Sequence, residues 1–97
     1  MLYTFNVDGY GFGSRILEDV MFTCTIDSES RSIVAFESFE DWDTEPYLRG
    51  LDQERWITEG HDYVASMLEK IWPRIDSGDF TAEEMFGELN DDGTLEF

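Results

Sequence analysis

The stretch "VMFTCTIDSESRSIVAFESF", residues 20–39, decides the fold. Its first eight residues alternate. Val20, Phe22, Cys24 and Ile26 fall to one side, and Met21, Thr23, Thr25 and Asp27 to the other, the period-two pattern of a half-buried strand. Small polar residues, "SESRS", follow, and then the β-branched and aromatic run "SIVAFESF". Residues 20–27 and 32–39 therefore predict an antiparallel hairpin closed by a loop of about four to five residues. Phe36 and Phe39 are three apart and cannot share a strand face, so either a bulge intervenes or the strand ends near Ser38.

Working back toward the N-terminus, "LYTFNV", residues 2–7, alternates as well, with Tyr3, Phe5 and Val7 on one face. The three strands predict a meander. Between the first two lies "DGYGFGSR", residues 8–15. Its glycines at 9, 11 and 13 follow a strand, but the spacing is neither that of a dinucleotide-binding turn nor that of a phosphate loop. It is expected to be a flexible or bulged connection, with Tyr10 and Phe12 covering an edge.

Working forward, the period changes. In "DYVASMLEKIW" the apolar residues Tyr63, Val64, Met67, Leu68 and Ile71 recur at helical spacing, and Pro73 is expected to end or kink that helix. Its start is open between a cap at Thr58 and one at Asp52 with passage through Gly60. "FTAEEMFGEL" predicts a second helix, with Thr81 and Glu84 as a capping box and Phe80 and Met85 as a staple. "DDGTLEF" closes the chain as a turn, with a short edge strand. The expected class is α+β in one domain, residues 1–97: an antiparallel three- to four-stranded sheet with two C-terminal helices on one face.

Composition narrows function. The chain has 97 residues, 41% of them hydrophobic, enough apolar mass for a core and against global disorder. The one cysteine, Cys24, has no internal partner for a disulfide, the N-terminus lacks the pattern of a secretory signal, and no run has the length of a membrane span. A cytoplasmic location is expected. Charge is the outlier: 23 acidic residues against 6 basic ones, a net charge of −17. Such a surface repels nucleic acids and anionic membranes and attracts basic proteins. A salt-adapted source would also give acidity and few lysines, but this chain's plentiful Phe, Trp, Tyr and Ile speak for a fuller core than that origin predicts.

No catalytic, metal or cofactor site is expected. Cys24 and His61 are each the only residue of their kind, which leaves no zinc set, and Cys24 shares a face with Phe22 and Ile26, where an inert thiol is expected. Glu88, Asn90, Asp92, Gly93 and Leu95 resemble the first part of a calcium-binding EF-hand loop. Glutamate stands where that loop begins with aspartate, and the chain ends at Phe97, before its final glutamate.

One stretch stands out functionally. "FESFEDWDTEPY", residues 36–47, sets five carboxylates among four aromatic residues with no basic residue. Glu37, Glu40, Asp41, Trp42, Asp43, Glu45 and Tyr47 are the candidate partner-binding residues: aromatic anchors ringed by acids that steer a basic protein surface, the alternative being a solvated loop whose Trp42 and Tyr47 fold back onto the core. A duplex about 30 Å long carries on the order of 18 phosphate charges, close to this chain's net charge. The expected function is therefore a small non-enzymatic inhibitor that blocks a nucleic-acid-acting enzyme or complex through a DNA-mimic-like surface, as a phage anti-defence or anti-CRISPR protein or a nuclease-toxin immunity protein would. The alternative is a generic acidic interaction module or accessory subunit without a nucleic-acid connection.

Overall fold

The computed structural model describes residues 1–13, 15–79, 88–89 and 95–96. Three seven-residue strands, β1 (Leu2–Asp8), β2 (Met21–Asp27) and β3 (Ser32–Ser38), form the antiparallel meander, and one long helix, α1 (Gln53–Asp76), follows. Two-residue strands β4 (Glu88–Leu89) and β5 (Leu95–Glu96) extend the sheet beyond β1, in the order β3-β2-β1-β4-β5. The fold is α+β.

The alternating residues went where their pattern sends them. Phe5, Val7, Phe22, Cys24 and Ile26 are at most 1% exposed and share one core with Val64, Met67, Leu68 and Ile71 of α1. Paired register puts Phe5 across from Cys24 and Val7 across from Phe22, so the two strands bury the same side. Ile33 pairs with Ile26 and Phe36 with Cys24, although Ile33 and Phe36 are an odd number of residues apart. A shift in register opposite Thr25 and Ile26 leaves Val34 as the extra residue, 51% exposed. This bulge is what lets Ile33 and Phe36 face the core together. The strand then ends at Ser38. The four-residue loop 28–31 closes the hairpin with Arg31 at φ 55°, a left-handed conformation that costs a side-chain-bearing residue about 1–2 kcal/mol. Two contacts to the end of α1 offset that cost: Arg31 pairs with Asp76, and its guanidinium lies 5.0 Å from the centre of the Trp72 ring.

Helix α1 starts at Asp52, whose carboxylate accepts the Arg55 N–H at 3.2 Å. It runs through Gly60, and it does not stop at Pro73. The helix ends one turn later in a Schellman motif: Gly78, at φ +81°, donates to the Ile75 carbonyl at 3.1 Å and Asp79 donates to the Arg74 carbonyl at 2.9 Å. The glycine supplies the left-handed turn that the sequence "DSGD" offers.

The expected pair of C-terminal helices is corrected to one among the described residues. Most of the second, including its Thr81–Glu84 box and the Phe80–Met85 staple, lies outside the described residues. Its end, Glu88–Leu89, is strand: Glu88 pairs in parallel with Asn6, and Leu89 is 5% exposed in the core. The free edge of β1 carries backbone groups that a neighbouring strand satisfies, and this pairing outweighs the helical spacing of two residues. Of the EF-hand-like residues, Asn90, Asp92 and Gly93 lie outside the described residues, and Glu88 and Leu95 are strand residues.

The glycine-rich connection is not a loose edge cover. Two short 3-10 turns, Gly9–Gly11 and Arg15–Leu17, fold it onto the core. The Gly9 N–H donates to the Val20 carbonyl at 2.9 Å and the Gly13 N–H to the Gly9 carbonyl at 2.7 Å, so these amides are already engaged. A Cβ on Gly9 would meet Leu17 at 2.9 Å, and one on Gly13 would overlap the same leucine. Phe12 leaves the edge and packs among Phe22, Phe36 and Tyr63, with ring centres 5.1, 6.3 and 5.7 Å away. Tyr10 is 56% exposed.

Candidate functional site

The acidic stretch begins where β3 ends. The Glu40 N–H donates to Ser38 Oγ at 3.1 Å, which turns the chain out of the sheet. Asp41 then organises the next turn from both its side chain and its backbone. Its carboxylate accepts the Asp43 N–H at 3.1 Å, and its carbonyl accepts the Glu45 N–H at 3.0 Å. The Glu45 carbonyl in turn accepts the Leu48 N–H at 3.0 Å. Aspartate favours such turns because its short side chain reaches the amide two residues on.

Two apolar pegs hold this loop down: Trp42 is 6% exposed and Leu48 is fully buried. The sequence placed Trp42 among the partner-binding residues; the structure puts its ring in the core, so in this conformation it is not a surface anchor. Tyr47, 46% exposed, is on the surface. Glu37, Asp41 and Asp43 are exposed, and Glu40 and Glu45 are half-buried. Six of the seven predicted residues thus share one surface segment, and the seventh secures it from beneath.

Two residues outside that set join them. The hairpin register pairs Phe22 with Ser38, and the Phe39 N–H continues the ladder to the Met21 carbonyl at 3.1 Å. Phe39 is 63% exposed beside the segment that carries Asp19. The Tyr47 hydroxyl is harder to ionise than an ordinary tyrosine, first because of partial desolvation and then because of the negative charges of Glu40, Glu45 and Asp19. Asp19 is 21 positions before Glu40, so only the hairpin register could have brought it to the site. Extending the predicted pairing past Ser38 was the signal. Phe39 was legible from its spacing to Phe36, which puts it on the opposite side of the strand from the core.

The other candidate chemistries do not converge here. Cys24 is fully buried, and burial pushes its thiol up to about 12, so it is not a thiolate at neutral pH. His61 is on the exposed side of α1. Among the described residues, no group of three or more His, Cys, Asp or Glu side chains is arranged to hold a metal ion. No described helix is long and apolar enough to cross a membrane.

Basic residues balance charge elsewhere but not in this segment. Arg31 is committed to Asp76 and Trp72, and the Arg55 guanidinium lies 4.6 Å from the centre of the Trp56 ring. Residues 32–48 contain five acids and no basic residue. What the arrangement can do is attract cations over a distance and present two wet aromatic faces at contact range. Comparisons with family models, curated proteins and solved structures return no match to the chain.

Proposed function

We propose that this protein is a small non-enzymatic inhibitor that occupies the nucleic-acid-binding surface of a basic enzyme or complex, with the segment from Glu37 to Tyr47 as its contact. The observation that carries this reading is the unbalanced acidity of that segment, which holds five acids, three of them exposed and two half-buried, and two exposed rings, Phe39 and Tyr47. Basic protein surfaces are mostly nucleic-acid-binding surfaces, and their positive field draws in a negative competitor. The molecule's extents are 43 × 24 × 20 Å. A duplex 43 Å long would carry about 25 phosphate charges, at about one per 1.7 Å, the same order as the net −17 here. A phage anti-defence protein and a nuclease-toxin immunity protein both fit this description.

The test has two steps. Immobilised protein captures partners from a bacterial lysate, and each identified partner is then loaded with fluorescent duplex DNA. Displacement of the DNA by added protein supports the inhibitor. Capture of partners with no basic surface, or of DNA-binding partners from which the DNA is not displaced, contradicts it.

A second reading is favoured by α1. Its exposed Glu54, Glu59, Asp62 and Glu69 carry acidity beyond the loop, interspersed with Arg55 and Lys70. A mixed-charge helix of this kind suits a generic interaction module, and for such a module DNA displacement fails while capture succeeds.

A further inference from the structure

β3 stands at one end of the sheet, with β2 on one side and no described strand on the other. Which of its backbone groups face the open side follows from the ladder. The register pairs Phe22 with Ser38, so Met21 and Phe39 come next to each other, and the Phe39 N–H donates to the Met21 carbonyl. Hydrogen-bonded and non-hydrogen-bonded pairs alternate along an antiparallel ladder. Phe39, Glu37 and Ala35 therefore turn their N–H and C=O groups to β2, and Ser38 and Phe36 turn theirs to the open edge. The far side of β2 agrees. The Gly9 N–H donates to the Val20 carbonyl, and the same alternation then turns the backbone of Phe22 to β1 and not to Ser38.

The bulge at Val34 interrupts the edge, so the regular stretch open to pairing is 35–39. Its side chains alternate as well. Phe36 packs on the core, and Glu37 is exposed on the opposite face, beside the uncharged Thr23 and Asn6 across the ladder. An open edge offers its backbone groups to any extended chain, and charge decides which chain is accepted. A second copy brings the same net charge of −17 and is repelled, as is a nucleic acid. A lysine or arginine across from Glu37 makes an opposite-charge cross-strand pair.

We infer that the β3 edge from Ala35 to Phe39 takes up an extended basic segment of a protein partner as an added strand, with a lysine or arginine of that segment opposite Glu37. The inference rests on the proposed reading in taking a basic protein as the partner, and it names how that partner is held: by main-chain hydrogen bonds to Phe36 and Ser38, with Glu37 setting the charge preference.

The experiment follows amide hydrogen exchange by NMR in the isotope-labelled whole protein. The probes are a capped peptide alternating lysine with threonine and the same peptide N-methylated at every residue, which keeps the charge and side chains but lacks backbone donors. In the free protein the Phe36 and Ser38 amides should exchange faster than those of Ala35 and Glu37. The unmethylated peptide at saturation should slow exchange at Phe36 and Ser38 by about tenfold or more, and it should bind about tenfold more tightly than the methylated one. Glu37→Gln should weaken the unmethylated peptide about two- to fivefold, whereas Glu59→Gln, which removes the same charge from the exposed side of α1, should change it less. Equal affinities for the two peptides, exchange at Phe36 and Ser38 as slow in the free protein as at Glu37, protection centred elsewhere, or equal effects of the two glutamine variants would overturn the inference. Strand addition without DNA displacement leaves this edge standing and removes the inhibitor; displacement without strand addition does the reverse.

Discussion

Gly60 of α1 lies directly against the ring of Phe36 of β3. A Cβ at Gly60 would meet Phe36 Cε1 at 2.5 Å and Phe12 Cζ at 2.8 Å. The rings have little room to retreat, because Phe36 stacks on Phe22 with centres 5.4 Å apart and Phe12 packs edge-on to both. This close approach is how the helix seats on the sheet whose end carries the acidic segment.

Gly60→Ala should therefore destabilise the protein. Helix propensity favours alanine by about 1 kcal/mol. Overpacking against trapped rings costs about 1–3 kcal/mol, and it should win. Thermal melts should show a fall of several degrees, partly recovered when Phe36→Leu is added. A rise in melting temperature for Gly60→Ala would mean that the helix stands off the sheet.

Trp42 and Tyr47 should separate in a stability assay although they are five residues apart in one loop. Trp42→Ala removes a core ring and should cost about 3–5 kcal/mol in denaturant unfolding. Tyr47→Ala, at an exposed position, should cost about 0.5 kcal/mol or less. Similar losses for both would show that Tyr47 is also a packing residue and unfit as a contact.

Cys24 should resist thiol reagents in the native state and react quickly once the chain is unfolded. With its thiol pushed up to about 12, almost no thiolate is present at about pH 8. The sign of the pH effect follows. Below the unfolded value of about 8.5 both states hold the proton and the group contributes nothing to pH dependence. Above it the unfolded chain ionises and the folded one does not, so stability should fall as pH rises. Equal labelling rates in native and denatured protein would place Cys24 outside the core.

Added salt should raise the melting temperature. The acids repel one another in the folded state, and a Debye length of about 10 Å at 0.1 M screens that repulsion. Ion pairs such as Arg31 with Asp76 and the N-terminus with Asp27 are screened as well, but with 23 acidic residues against 6 basic ones repulsion is in excess. A melting temperature that stays flat or falls from low salt to about 0.5 M would mean that pairing dominates.

How much of this was legible depended on whether a local pattern carried it. The alternation in 2–7 and 20–27 and the helical spacing of Val64, Met67, Leu68 and Ile71 fixed which faces are buried, because burial acts on each side chain in turn. The bulge at Val34 was not read, since it depends on which residue β2 offers across the ladder. Gly60 was visible only as a tolerated helix breaker; its purpose lies in rings from two other elements. Trp42 looked like an anchor for the same reason that it is a core peg, a large apolar surface, and composition does not say which side of a loop it faces. Asp19 reached the site through strand pairing, which no spacing within the loop encodes.

The central claim, that the loop rather than acidity at large makes the contact, is tested most directly by dissociation rates of two charge-matched variants. One changes Glu40, Asp41, Asp43 and Glu45 to Gln, Asn, Asn and Gln. The other removes four exposed acids elsewhere, Glu29, Glu59, Asp62 and Glu69, in the same manner. Both lose equal net charge and so equal long-range steering. Rim pairs contribute about 0.2–1 kcal/mol each and desolvated ones more, so the loop variant should bind about 30- to 1000-fold more weakly. Surface plasmon resonance against the captured partner, with circular dichroism to confirm folding, should show that loss mainly in the off-rate of the loop variant. Equal off-rates for the two variants, or a faster one for the control, would contradict the account.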